Sequence, residues 1–302
     1  MLDVKTTVLV LLGLVAIGFI AFWAASIASA RRNEPSAPGV RPSAYELFVG
    51  FVTDFFDTLG IGSFATTTAL WRARRTVPDE HIPGTLNVGH TLPTIAQALL
   101  WINAVNIEAA TLIGMIVAAV AGALLGAPIV AGWPRRRVQT GLGLALLALC
   151  AVLVYRQLVD LEPAGVPPTG LSGGLFAVGI ATNFVLGALM TIGVGLYAPC
   201  LLLVSLLGMS PKAAFPIMMG SCAFLMPLAS VPFVRRGAYS PRAALGLTLA
   251  GIPGVLIAVL IVQEMNLSTV KWLVAVVIVY TAVSLLRAAR AGATLPPTSP
   301  SP

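Results

Sequence analysis

Long apolar runs follow one another along the chain, divided by short polar or basic turns. Thr6 to Ala30, Pro83 to Ile102, Ile107 to Ala131, Val138 to Leu158, Ala213 to Val234, Pro241 to Val262 and Ser268 to Leu286 each read as a membrane helix of about 20 residues. The runs are continuous and do not alternate over segments of about ten residues, which disfavours a strand barrel. Two further runs, Tyr45 to Trp71 and Leu175 to Val204, are broken inside by Gly60-Ile61-Gly62 and Gly193-Val194-Gly195. The pattern predicts an all-α polytopic membrane protein.

The two broken runs correspond. An offset of 133 carries Gly60 onto Gly193, Gly62 onto Gly195 and Pro83 onto Pro216, and an offset of 132 carries Gly114 onto Gly246 and Gly122 onto Gly254. Upstream of the breaks, an offset of 129 matches Gly50 to Gly179 and Asp54 to Asn183, so the second copy is expected to carry four extra residues there. Ordered agreement over this length reads as an internal repeat. If each broken run enters and returns, each copy has an odd number of full crossings. The copies are then inverted, and an extra helix precedes them. The basic clusters at 31–32, 72–75, 135–137, 235–236 and 287–290 then fall on one face, the cytoplasmic one. The expected units are an N-terminal helix (1–31), a linker (32–44), a first repeat (45–158), a connector (159–171), a second repeat (172–286) and a disordered tail (287–302). A full crossing by each arm of the broken runs keeps the same sidedness and stays open. Ala28-Ser29-Ala30 resembles a signal-peptidase site, so cleavage is the alternative to a retained first helix.

Composition strengthens the membrane reading: 58% of residues are hydrophobic and 10% charged, against about a quarter charged in soluble domains. The net charge of +7 sits in short clusters between apolar runs, which fits anchoring against anionic lipid and not a nucleic-acid surface. Cys150, Cys200 and Cys222 lie inside apolar runs without ligand spacing, and read as buried thiols.

Candidate chemistry gathers at the breaks. Asp54 and Asp57 are one helical step apart and share a face. A carboxylate in hydrocarbon needs a proton, a partner or water, so both are candidates for proton coupling, with cation coordination as an alternative and helix capping or a structural hydrogen bond as the plain reading. Broken helices expose backbone donors and acceptors at membrane depth. Thr58, Gly60, Gly62, Ser63, Thr66 and Thr67 from one break, and Gly193, Gly195, Tyr197 and Cys200 from the other, are therefore candidates to contact a substrate. Ordinary polar packing explains them equally well. Asn87, His90, Thr91, Pro93 and Gln97 load one helix with polarity that lipid would penalise; Asn87 and His90 join the candidate set, as do Asn183 and Ser221. A small anion would be held by helix ends, hydroxyls, Asn87, Asn183 or His90, because no lysine or arginine lies deep in a membrane run. No catalytic constellation, phosphate loop, metal shell or cofactor motif stands out, so an enzyme is not expected.

At VGFVTDFFDTLGIGSF and VGIATNFVLGALMTIGVGLY the chain resembles the TauE/SafE (DUF81) sulfite exporter family of anion permeases. The resemblance covers most of Ala44 to Leu286. It implies a cytoplasmic-membrane carrier of small sulfur-containing anions, with Gly60, Gly62, Gly193 and Gly195 as the glycine-marked breaks. Ser63-Phe64 and Leu196-Tyr197 replace the richer glycine run common in that family, which favours a small anion with an apolar part over sulfite itself. Read with the residues, this predicts secondary transport of a small sulfur-containing or related organic anion by alternating access, coupled or not to protons. A passive small-anion channel is the alternative.

Overall fold

The structure is a computed structural model that describes residues 4–33, 39–159, 167–191 and 195–291. Among the described residues the chain forms eleven α-helices, a single 3-10 turn and no strand. In order they are α1 (Val4–Asn33), α2 (Ala44–Thr58), α3 (Ser63–Arg74), α4 (Ile82–Ala104), α5 (Ala109–Ala131), α6 (Arg135–Leu158), α7 (Gly173–Met190), α8 (Tyr197–Leu206), α9 (Ala214–Arg236), α10 (Pro241–Glu264) and α11 (Leu267–Ala291). Seven of these, α1, α5, α6, α7, α9, α10 and α11, are long and apolar enough to cross a membrane. The molecule is a multi-pass helical membrane protein. Helix α4 has 23 residues but is too polar to join that set, and it is buried on most of its surface. Protein shields its polar face in place of lipid.

The first broken run becomes α2 and α3. Ser43 and Glu46 form a capping box at the start of α2, which fixes where the arm begins. At its far end Gly60 and Gly62 have φ of 94° and 85°, a region closed to most side chains. The chain thus reverses between two helices of 15 and 12 residues, each about 18 to 22 Å long at 1.5 Å per residue. The returning arm ends beside the entering one: Tyr45 donates its hydroxyl proton to the Leu70 carbonyl at 2.7 Å, and Arg74 lies 4.3 Å over the Tyr45 ring.

Small residues decide the helix pairs. Gly50, Gly246 and Gly254 bring α2 and α10 together in parallel, with Gly246 against Glu46 and Gly254 against Phe51. Gly114, Gly122 and Gly126 do the same for α5 and α7, against Phe176, Phe184 and Ala188. A Cβ at these positions would collide with the neighbouring chain, so the stripe of small residues is a packing device. Helix α4 runs antiparallel to α9 through Thr91–Ser230 and stacked Trp101–Phe215. Helix α6 likewise opposes α11, with Gly143 against Leu286 and Cys150 near Ala275. Helix α1 lies along α4 and α9 and is stapled by Trp23, whose indole N–H donates to Tyr239 at 3.0 Å.

One sequence expectation shifts here. Helix α11 continues to Ala291, so Arg287 and Arg290 belong to its last turn; residues 287–291 are arginine- and alanine-rich, which favours helix. The rest of the expected tail, from 292, lies outside the described residues, as do 34–38 of the linker, 160–166 of the connector and Gly193 of the second break.

Candidate functional site

Helices α2, α3, α4 and α8 bring one polar cluster together in the interior. Asp54 and Asp57 occupy one face of α2, and His90 and Gln97, two turns apart, occupy one face of α4. Pro93 lies between them on α4 and has no N–H to give to the Gly89 carbonyl. Thr248 of α10 donates its hydroxyl to that carbonyl instead, at 2.8 Å, so the proline is accommodated and α4 is tied to α10.

Two linked hydrogen-bond chains result. His90 Nδ1 is 2.8 Å from Asp54 Oδ1, and His90 Nε2 is 3.2 Å from Thr67 Oγ1 on α3. The Phe64 ring stacks on the imidazole at 5.9 Å between centroids. Asp57 Oδ1 accepts from the Ser63 backbone N–H at 2.6 Å. Its Oδ2 accepts from Gln97 Nε2 at 3.0 Å and from the Tyr197 hydroxyl at 3.4 Å. Gln97 Nε2 also donates to Thr58 Oγ1 at 3.0 Å, and Thr58 donates to the Asp54 carbonyl at 2.7 Å. Asp54, Thr58, Thr67, His90 and Gln97 have no solvent exposure. Two acceptors in the cluster, Asp54 Oδ2 and Gln97 Oε1, have no hydrogen-bond partner.

The cluster is tightly enclosed. A Cβ on Gly251 of α10 would collide with Asp54 Oδ2, so glycine is what lets the carboxylate lie there. Gly60 lies against the side chain of Leu201 on α8, and Tyr197 reaches Asp57, so the tip of the α2–α3 hairpin meets the start of α8. A groove of about 230 Å³ lined by Val4, Lys5, Asn106 and Leu112 lies away from the cluster, where α1 and α5 begin, and contains neither a carboxylate nor a histidine.

Of the residues singled out from sequence, Asp54, Asp57, Thr58, Ser63, Thr67, His90 and Tyr197 join this cluster, with Gly60 and Gly62 shaping its turn. Thr66 is half-buried in the first turn of α3 and donates back to the Ser63 carbonyl at 2.8 Å. Others lie apart. Asn87 is partly exposed and donates to its own helix at Pro83, 2.9 Å away. Ser221 donates to the Ile217 carbonyl at 2.7 Å, and Cys200 is buried among apolar side chains of the core. Asn183 belongs to the α5–α7 seam, where its Nδ2 donates to the Met115 carbonyl at 2.6 Å. Gly195 is exposed just before α8. Gln97 lies outside the candidate set read from the sequence, although its seven-residue spacing from His90 is the signal that puts both on one face.

The soft side of the cluster is sulfur. Cys222 on α9 lies beside Tyr197, and its Sγ is 3.8 Å from the Met190 Sδ at the end of α7. Among the described residues no group of three or more histidine, cysteine or acidic side chains is arranged to hold a metal ion.

Compared with protein-family models, with curated proteins and with solved structures, the chain matches none.

Proposed function

We propose that this chain is a proton-coupled secondary transporter of a small sulfur-containing or related organic anion in the cytoplasmic membrane, of the sulfite-exporter kind that its sequence resembles. The observation that carries the reading is the buried Asp54–His90–Thr67 chain at the tip of a hairpin that enters and leaves on one side. A carboxylate, an imidazole and a hydroxyl in hydrogen-bond contact can hold a proton or pass it along.

The proposed architecture is two inverted repeats, α2–α6 and α7–α11, behind the additional helix α1. Several observations support it. Ala109 and Pro241, the first residues of α5 and α10, are 132 positions apart, as are Arg135 and Leu267, the first of α6 and α11. Packing is conserved under exchange of the copies: α2 pairs with α10 as α7 pairs with α5. The contacts at these seams favour one offset of 132 to 133 throughout, replacing the offset of 129 upstream of the breaks. Gly50 meets the Leu247 backbone where Asn183 meets the Met115 backbone, and Gly251 meets Asp54 where Ala119 meets Gly187. Asp54 thus corresponds to Gly187 and Asp57 to Met190, and only the first copy carries carboxylates at these positions. Asn183 has the role of a seam residue.

Orientation follows from charge. The helix directions put fourteen of the eighteen lysines and arginines at the end where α2 begins and α3, α9 and α11 finish; Lys5, Arg156, Lys212 and Lys271 are at the other. The positive-inside rule assigns the richer end to the cytoplasm, with α2–α3 re-entering from that side and α7–α8 from the opposite one.

The test is flux in proteoliposomes across a panel of sulfite, sulfonates, sulfate and carboxylates, with and without a pH gradient. Saturable uptake driven by the gradient, lost in Asp54→Asn, supports the reading. Large unsaturable currents indifferent to pH favour a channel, and no flux for any anion removes the transport proposal.

A further inference from the structure

Helix α3 begins with its own cap position empty of a side chain, because Gly62 supplies none. The start of a 12-residue helix is a site of unpaired amide donors and partial positive charge, well suited to an oxyanion. Here the Ser63 amide is already taken, at 2.6 Å, by Asp57 Oδ1. That carboxylate comes from the arriving helix. The tight reversal at Gly60 and Gly62 is what folds the end of α2 onto the start of α3.

A second observation concerns Gln97, which is fully buried with Oε1 unpartnered. Its Nε2 serves Asp57 Oδ2 and Thr58 Oγ1 together, which is the orientation a charged carboxylate demands. A neutral Asp57 would carry an O–H in need of an acceptor. Turning the Gln97 amide over presents Oε1 to that O–H with no change of backbone. One side chain therefore serves both protonation states, and the orphaned oxygen is the half that the charged state leaves idle.

We infer that Asp57 is a built-in occupant of the substrate-anion site: its carboxylate holds the N-terminus of α3 until Oδ2 takes a proton, whereupon Gln97 turns to accept from that O–H, Oδ1 is left a weaker, uncharged acceptor, and the oxyanion of the substrate displaces it from the Ser63 amide. The inference rests on the transport reading above and specifies its coupling. The bookkeeping of charge is even. One proton enters on Asp57 and one negative charge enters on the substrate, so the buried site carries the same total before and after. This avoids adding an uncompensated charge in a low-dielectric interior. The titratable groups facing Asp57 are Asp54 on the same helix, His90 from α4, Tyr197 from α8 and Cys222 from α9; α3 contributes only its amides and hydroxyls. The ligand class is a compact monoanion, a sulfonate, carboxylate or hydrogen sulfite, accepting from the Ser63 N–H and the Tyr197 hydroxyl.

The second copy lacks the device. Met190 stands where Asp57 would be under the single offset, and it faces sulfur, not an amide.

The experiment uses full-length purified protein and methanesulfonate and acetate as probes. In wild type the dissociation constant of a bound probe should rise about tenfold per pH unit on the alkaline side, and one proton should be taken up per anion bound in weakly buffered solution. Asp57→Asn, which keeps the size of the neutral acid, should bind the same probe with no pH slope and no proton uptake. Two results overturn the inference while leaving transport intact: wild-type flux and binding without proton uptake, or an Asp57→Asn protein that keeps the tenfold slope. The wild-type proton count needs no variant, so a misfolded Asp57→Asn does not rescue the idea. A wild type that neither binds nor carries either probe, nor any anion of the wider panel, overturns the transport reading and this inference with it.

Discussion

His90 Nδ1 and Asp54 Oδ1 lie 2.8 Å apart, and neither side chain has any exposure to solvent. The pair joins α2 to α4, and its far nitrogen reaches Thr67 on α3, so three helices share one proton-bearing contact. Removing one member of such a pair leaves the other buried and unmatched, at a cost of about 3 to 5 kcal/mol. His90→Ala should therefore destabilise the protein by roughly that amount. The double variant Asp54→Asn/His90→Ala should recover much of the loss, because the stranded carboxylate is gone. Thermal unfolding in detergent of the two single variants and the double one checks this; additive losses would mean that the two side chains are not coupled.

Gly251 makes the opposite kind of prediction, one of space. A Cβ there would collide with Asp54 Oδ2 and come within 2.9 Å of Pro93 Cγ. Gly251→Ala should cost about 1 to 3 kcal/mol and push Asp54 away from His90, lowering the pH-driven flux proposed above. Gly141 on α6 has nothing within 4 Å of its would-be Cβ. Gly141→Ala should be neutral or stabilising by up to about 1 kcal/mol, and the contrast between the two variants separates local collision from helix propensity.

The staple of α1 is accessible to a pH experiment because Tyr239 lies in the turn between α9 and α10. Burial pushes its phenol up, and the indole N–H of Trp23, which favours the phenolate, opposes that push less strongly. A folded-state value above the unfolded one means that the contribution is complete below the unfolded value, near 10, and is lost as pH rises through the folded value. Tyr239→Phe should remove this alkaline loss. It should also cost about 0.5 to 1.5 kcal/mol at neutral pH for the missing hydrogen bond. Unfolding midpoints between pH 8 and pH 11, wild type against variant, give both numbers.

What the sequence disclosed follows from how strongly each feature is penalised elsewhere. Gly60 and Gly62 announced the reversal because positive φ excludes most other residues. Asp54, Asp57 and His90 stood out because hydrocarbon punishes charge. Gln97 was harder to distinguish: as a neutral amide in a helix already rich in threonine and asparagine, only its two-turn spacing from His90 marks it. Asn87 and Ser221 satisfy themselves on their own helices, on the Pro83 and Ile217 carbonyls, and no sequence pattern distinguishes that from facing a cavity. A glycine match between positions 50 and 179 pairs Asn183 with Asp54 in the sequence. The α5–α7 and α2–α10 contacts favour pairing it with Gly50, since register along a seam of small residues is set by backbone approach, which composition does not record.

The helix directions yield a prediction that tests the proposed topology. Lys212 donates to the Gln263 and Met265 carbonyls at 3.1 and 2.9 Å, so the start of α9 and the end of α10 share one end of the bundle. Ser240 lies at the other end: its backbone N–H donates to Thr85 at 2.9 Å, where α2 and α4 begin. Single cysteines at positions 135 and 235 should therefore react with an impermeant thiol reagent from the cytoplasmic side. A cysteine at 266, where α10 gives way to α11, should react from the outside. The three native cysteines are buried and serve as the unreactive background. If positions 135 and 235 report opposite faces, the second broken run makes a single crossing and the proposed inversion of the repeats fails.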